Sequence, residues 1–240
     1  MSQKQEQTKQ KTKKKQTDIL VKANKKGRHI IPIINVLRCI VIPFYFLVKP
    51  FRFYGNRKVK DGAYVYVCNH YTLLDPVYTA ATTWEGIHYV GKRSLENTPV
   101  IRWLVRKAKA ITVSRDGKDV RGLLDCFKCL KNGEKVAIFP EGTRNKSGEG
   151  MLPFKHGAAA MAIKTKTPVV PIVIYKKPRY FRVAHILVGE PFEFTEYYDK
   201  KLTEEDFNLA DEKLRGVMLD MREKHTQYLQ DKKTKRGKNT

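Results

Sequence analysis

The sequence predicts an α/β protein with a largely parallel sheet flanked by helices, and three observations carry that reading. From Tyr64 onward short apolar runs of strand length alternate with stretches of helical spacing, the runs are bounded by polar or turn residues, and the chain closes on a long amphipathic helix. Its 240 residues are 41% hydrophobic, enough to bury the core of one main domain.

Taken in order, the strand candidates are Tyr64–Cys68, His88–Gly91, Ala110–Val113, Lys135–Phe139, Val169–Ile174 and Val183–Val188. Helix candidates lie between them near 72–84, 99–108, 118–132 and 156–166. In the third of these, Val120, Leu123, Leu124, Phe127 and Leu130 recur at helical spacing, and Gly133 stands where a helix-ending glycine belongs. Strand and helix in alternation imply parallel pairing, and ligands of such sheets gather beyond the strand carboxyl ends. The final helix begins at Thr203 as its cap, places Glu204, Glu205 and Asp206 in its first turn, and sets Phe207, Ala210, Leu214, Val217, Met218 and Met221 on one face.

Upstream of this domain, residues 1–29 lack apolar periodicity and read as a disordered basic tail; residues 231–240 read as a second. The main domain is expected over 53–230. Between tail and domain, Ile30–Val48 is the most apolar window of the chain, nearly long enough to cross a bilayer, which takes about 20 apolar residues. Arg38 lies at its middle, with Pro32 and Pro43 on either side, so a straight span would put a charge at the bilayer centre. The window therefore reads as an N-terminal membrane-interfacial helix pair within residues 30–52, flanked by Lys25, Lys26, Arg28, Lys49 and Arg52 to meet anionic headgroups, with a buried core helix pair as the alternative.

The formal charge is +24, of which eight excess positive charges fall in residues 1–29 and four in 231–240, so the basicity is not confined to the tails. Such a field favours nucleic acid, an anionic membrane surface or phosphorylated substrates. The four cysteines are too few for a disulfide framework and fit a reduced, cytoplasm-facing protein. Cys126 and Cys129 form a C-x-x-C, but no neighbouring Cys/His pair completes a zinc site, and both fall inside a helical pattern, where a thiol serves as a small apolar residue.

The informative residues stand at two strand ends. The first candidate strand runs out into Asn69, His70 and, five residues later, Asp75; the fourth runs out into F-P-E-G-T-R, giving Glu141, Gly142, Thr143 and Arg144. A histidine with a carboxylate one turn further on, folded back to its ring, holds one tautomer and suits a general base for a hydroxyl. No G-x-S-x-G elbow supplies a nucleophile, so the hydroxyl belongs to the substrate. Arg144 offers a fork of donors that fits phosphate, and Gly142 lets backbone approach beside it.

In these blocks the chain resembles the glycerolipid acyltransferases of the 1-acyl-sn-glycerol-3-phosphate acyltransferase family. N-H-x4-D at Asn69–Asp75, I-T-V-S-R ending at Arg115, F-P-E-G-T-R at Phe139–Arg144 and V-V-P-I-V around Pro171 follow in the family's order, and the resemblance covers roughly residues 55–195. It implies His70 as catalytic base with Asp75 as its partner. It implies that Asn69, Glu141, Gly142 and Thr143 help form the acceptor site, that Arg144 and Arg115 meet the phosphate, and that Lys92 lies near it. Pro171 is expected to shape the pocket. Lys109 and Thr112 depart from the aromatic or aliphatic residues and glycine usual in the second block.

The reaction so implied is acyl transfer from acyl-CoA or acyl-carrier protein to the sn-2 hydroxyl of lysophosphatidic acid, giving phosphatidic acid, with no metal or redox cofactor. Another lysolipid or glycerol 3-phosphate is the rival acceptor. The rival outside enzymes is a basic nucleic-acid- or membrane-binding protein; nucleic acid is not expected as a partner, because it leaves Ile30–Val48 unexplained and no aromatic-basic recognition motif is present. The expected location is a cell membrane, held peripherally or monotopically, with the site facing the cytoplasm.

Overall fold

A computed structural model describes residues 31–57, 59, 61–114, 120–148, 150–155 and 157–237. In chain order the elements are α1 (Pro32–Val48), β1 (Phe51–Gly55), β2 (Tyr64–Cys68), α2 (Asp75–Ala80), β3 (Ile87–Lys92), α3 (Pro99–Lys107), β4 (Ile111–Val113), α4 (Val120–Lys131), β5 (Lys135–Ile138), α5 (Ala158–Thr165), β6 (Val169–Ile174), β7 (Ala184–Val188) and α6 (Glu204–Gly237). The seven strands form one sheet in the order β1-β7-β6-β2-β5-β3-β4. Strands β6, β2, β5, β3 and β4 run parallel; β7 is antiparallel to β6, and β1 pairs parallel with β7.

Strand order fixes which face each helix covers. Right-handed crossovers moving one way along the sheet (β2 to β3, β3 to β4) place α2 and α3 on one face, and those moving back (β4 to β5, β5 to β6) place α4 and α5 on the other. Side chains agree. Val113 faces Gly122 of α4, whereas Thr112, pointing the opposite way, donates to Glu96 in the short 3-10 turn Arg93–Asn97 that packs against α3. One core layer joins Val65, Val67, Val136, Met161, Leu214 and Met218 beneath α4, α5 and α6; the other joins Tyr66, Cys68, Tyr78, Ile87, Ile172 and Ile186 beneath α1 and α2. Because both faces are covered, β2 is apolar without alternation.

The N-terminal segment departs from its expected form. A single helix spans Pro32–Val48, with Pro43 inside it, in place of two short ones. Its inner stripe, Ile31, Ile34, Arg38 and Tyr45, is buried against the domain. The Arg38 guanidinium donates to the carbonyls of Ala80, Trp84 and Glu85 and to Asn35 Oδ1, so the charge that argued against a simple span is satisfied inside the protein. That docking holds the helix continuous across the one hydrogen bond Pro43 cannot make. Lys49 is also buried, 4.2 Å from the Tyr180 ring centre, and does not serve as a flanking cation. Among the described residues no helix is long and apolar enough to cross a membrane.

Two boundaries also shift. β1 starts at Phe51, inside the segment assigned to the membrane, because F-R-F-Y-G is an edge strand that gains its partner only from β7, well over a hundred residues on. At the other end α6 runs through Gly237, beyond the expected start of the second tail. Residues 1–29 lie outside the described residues.

Where α6 crosses the sheet, His225 Nε2 lies 2.7 Å from His185 Nδ1, with Tyr54 and Tyr175 against the pair. Burial, then the charge of His185, depresses the His225 imidazole to about 4, and burial depresses His185. The unfolded chain binds protons near pH 6.5 that the folded pair refuses, so stability is full above that pH and is lost as pH falls toward about 4. Melting temperature between pH 7 and 5 is expected to fall more steeply in the native protein than in His225→Phe, which removes the proton-binding group.

Candidate active site

β2 and β5 are neighbours whose exits turn to opposite faces of the sheet, which makes the crevice between them the topological switch point. His70 follows β2 and Glu141 follows β5, and main chain joins the two exits. His70 N–H donates to Glu141 Oε1 at 2.9 Å, and the His70 carbonyl accepts from Asn145 N–H at 2.7 Å. Glu141 Oε2 accepts from Leu152 N–H at 3.1 Å. Burial raises the Glu141 carboxyl above its usual range, and the bonds from His70 and Leu152 oppose that rise. Glu141 is thus a strut under the histidine, with both oxygens engaged.

The His70 ring is stacked on Phe139, centroids 4.3 Å apart. Its Nδ1 lies 2.8 Å from Asp75 Oδ2. Asp75 is 0% exposed and accepts three more hydrogen bonds, from Tyr71 N–H, Thr72 N–H and the Thr72 hydroxyl, at 2.6, 2.7 and 2.6 Å. Asp75 is the first residue of α2, and its carboxylate reaches back to the turn T-L-L-D that leads into the helix. A carboxylate so engaged can only accept, so Nδ1 carries the proton and Nε2 is left basic. The local sequence therefore builds an oriented base from a helix start.

Asn69, expected at the acceptor site, has another task. Its amide donates to the Ile174 carbonyl at 3.1 Å and accepts from Ile174 N–H at 2.7 Å, clamping the end of β6 to the end of β2. Gly142 has φ +63°, the left-handed conformation that a turn into the crevice requires, and Thr143 and Arg144 are exposed beyond it. Lys92, the last residue of β3, is exposed on the same carboxyl edge. Arg115 lies outside the described residues. The unusual second-block residues are accounted for locally: Thr112 bonds Glu96, and Lys109, at φ +50°, presents its carbonyl to His88 Nδ1. Pro171 sits in β6 opposite Val67, where the ladder to β7 ends.

The described residues that could hold a metal are His88, Cys129 and Glu134, whose ligand atoms lie within 4.8 Å of one another. They gather at the amino ends of β3 and β5, the opposite edge from His70, and His88 Nε2 lies 3.0 Å from Glu134 Oε2. The C-x-x-C pattern did not point there because His88 comes from elsewhere in the chain and the third group is a carboxylate, Glu134, rather than a Cys/His pair. Burial pushes the Cys126 and Cys129 thiols up to about 12.

An oriented His–Asp pair at the switch point of a doubly wound sheet is an arrangement suited to taking a proton from a hydroxyl. The Acyltransferase family model matches residues 50–175, more than half of the chain, and the chain belongs to that family. It is 38% identical over half its length to a chloroplastic 1-acyl-sn-glycerol-3-phosphate acyltransferase of Brassica napus, spanning 35% of that protein. It is 35% identical, over half its length, to the 1-acyl-sn-glycerol-3-phosphate acyltransferase of Helicobacter pylori, spanning 52% of it. The crystal structure of the 1-acyl-sn-glycerophosphate acyltransferase PlsC from Thermotoga maritima shares the fold, with a TM-score of 0.59 and 24% identity over 80% of this chain and 78% of that one.

Proposed function

We propose that the chain is a 1-acyl-sn-glycerol-3-phosphate O-acyltransferase, moving an acyl group from acyl-CoA or acyl-carrier protein to the sn-2 hydroxyl of lysophosphatidic acid. The observation that carries the reading is the 2.8 Å bond from His70 Nδ1 to a four-fold hydrogen-bonded Asp75. His70 Nε2 takes the hydroxyl proton as the oxygen attacks the thioester carbonyl, and the tetrahedral centre collapses with loss of thiolate. The imidazolium then protonates the departing sulfur, leaving phosphatidic acid, free thiol and neutral His70. Asp75 stabilises the imidazolium in between. Arg144, with Lys92 one strand further along the edge and Arg115, meets the acceptor phosphate. The test is product analysis with lysophosphatidic acid, other lysolipids and glycerol 3-phosphate in competition. Lysophosphatidic acid is expected to dominate; preference for another acceptor overturns the assignment.

The same reading puts the protein on an anionic membrane surface, at the cytoplasmic side. On the face covered by α1, α2 and α3, α1 exposes Val36, Ile40, Phe44 and Leu47 in one stripe, and α3 exposes Val100 and Trp103 beside Arg106 and Lys107. Trp84, on the loop into β3, is 76% exposed. Of the nearby acids, Glu85 bonds Lys135 and Glu96 accepts from Thr112, while Asp61 beside Glu85 is exposed. Aromatics and cations together suit a lipid interface. Trp84 and Trp103 are the two tryptophans of the chain, so emission is expected to shift blue on phosphatidylglycerol vesicles and to be quenched by brominated lipid. High salt should weaken this binding without abolishing it. Complete release by salt with no spectral shift contradicts this orientation.

A further inference from the structure

The acceptor's phosphate and the donor's phosphates are both anionic, and a single cluster of cations cannot hold both on either side of one proton acceptor. Of the residues assigned to the acceptor phosphate, Lys92 ends β3 and Arg144 follows β5, on the β5–β3 side of His70. On its other side, where β6 ends, a cleft of about 680 Å³ is lined by Lys176, Lys177, Arg179, Arg182 and Arg222, with Ser147, Gly148, Tyr175 and His185 completing much of the wall and no acid among the described lining residues. Its volume is in the range of small-molecule sites.

This cleft is built on the catalytic exit. One wall, Tyr175 and the residues after it, continues from Ile174, which Asn69 clamps by two hydrogen bonds. The opposite wall is held through Asn145. Its N–H donates to the His70 carbonyl, and its Oδ1 accepts from the Ser147 hydroxyl at 2.6 Å and Gly148 N–H at 3.3 Å. Arg222 comes from α6, and its charge reaches the residue after His70: burial raises the Tyr71 hydroxyl and Arg222 pulls it back.

We propose that this cleft binds the phosphate-rich nucleotide end of a coenzyme A thioester, directing the thioester toward His70 from the β6 side while the acceptor phosphate is held on the β5–β3 side. The inference rests on the acyltransferase reading above. A concave site carrying five cations fits the diphosphate and 3′-phosphate of one small molecule; a carrier protein presents a convex acidic surface and only one phosphodiester on its prosthetic arm. Strand order, rather than charge alone, makes the assignment: β6 and β5 flank β2, so the two anion sites approach the same imidazole from opposite sides.

The test has a binding arm and a kinetic arm. Free coenzyme A is titrated calorimetrically into the native protein and into R179Q/R182Q, whose two arginines are exposed, so that the fold is kept. A Kd about tenfold or more weaker in the variant is expected, as for loss of charge-assisted hydrogen bonds, with 3′-dephospho-coenzyme A showing a smaller difference between the two proteins. In turnover the variant is expected to raise KM for palmitoyl-CoA by a similar factor while leaving KM for lysophosphatidic acid unchanged. Equal coenzyme A affinity in both proteins overturns the proposal. So does a rise in acceptor KM instead, which assigns the cleft to the acceptor phosphate, or turnover with acyl-carrier protein and none with acyl-CoA. Coenzyme A binding that weakens in the variant, in a native protein that transfers no acyl group, leaves the cleft standing and removes the acyltransferase reading.

Discussion

Replacing His70 by alanine is expected to lower kcat by about 10² to 10⁴, the usual contribution of a general base, with acceptor KM changed little. The split follows from the geometry. Nε2 is needed only as the hydroxyl attacks, whereas ground-state binding is assigned to cations on other strands. The ring's one described hydrogen bond goes to Asp75, which keeps its donors Tyr71 N–H, Thr72 N–H and the Thr72 hydroxyl when the ring is removed. Asp75→Asn should show a smaller loss of kcat, since an amide can still accept from Nδ1–H but no longer stabilises the imidazolium. The check is steady-state kinetics on purified variants with circular dichroism spectra matching the native protein.

The second large effect is expected at Glu141, which touches no reacting atom in this account. Glu141→Ala removes the acceptor for both His70 N–H and Leu152 N–H, at a residue only 1% exposed. Two backbone donors left without a partner cost about 2–4 kcal/mol, which for a domain of this size lowers Tm by on the order of 10 °C. Turnover should fall as well, because the bond to Glu141 fixes His70 relative to the β5 exit. Glu141→Gln keeps one oxygen for His70 N–H but turns an amide donor on Leu152 N–H. It is expected to recover a good part of the activity and less of the stability. Thermal melts and kcat, measured on the same samples, separate this strut from a direct substrate contact, which would change acceptor KM first.

Much of this architecture was legible in the chain because its signals are local. Tyr64–Cys68 and Val169–Ile174 were bounded correctly from apolar runs alone, and the capping pattern around Thr203 marked the start of the final helix. The His–Asp pairing was readable because its two members lie within one turn of a helix start. What escaped depended on distant partners. β1 is a strand only by virtue of β7, and Arg38 changed meaning once the carbonyls of Ala80, Trp84 and Glu85 closed around it. Asn69 and Glu141 stand in blocks that resemble a substrate site, yet Asn69 bonds both backbone groups of Ile174 and Glu141 bonds the backbone N–H groups of His70 and Leu152, which no spacing rule distinguishes from ligand binding. The cleft beyond β6 was hidden for the same reason: its walls come from three separate stretches of the chain.

The central claim is that His70 activates the acceptor's hydroxyl and that no acyl-enzyme forms. Pre-steady-state thiol release, followed with an excess of acyl thioester over enzyme, tests it most directly. The account predicts no thiol burst without lysophosphatidic acid, one thiol per phosphatidic acid formed when it is added, and loss of that release in His70→Ala. A stoichiometric burst in the absence of acceptor, or release in His70→Ala at the native rate, contradicts it.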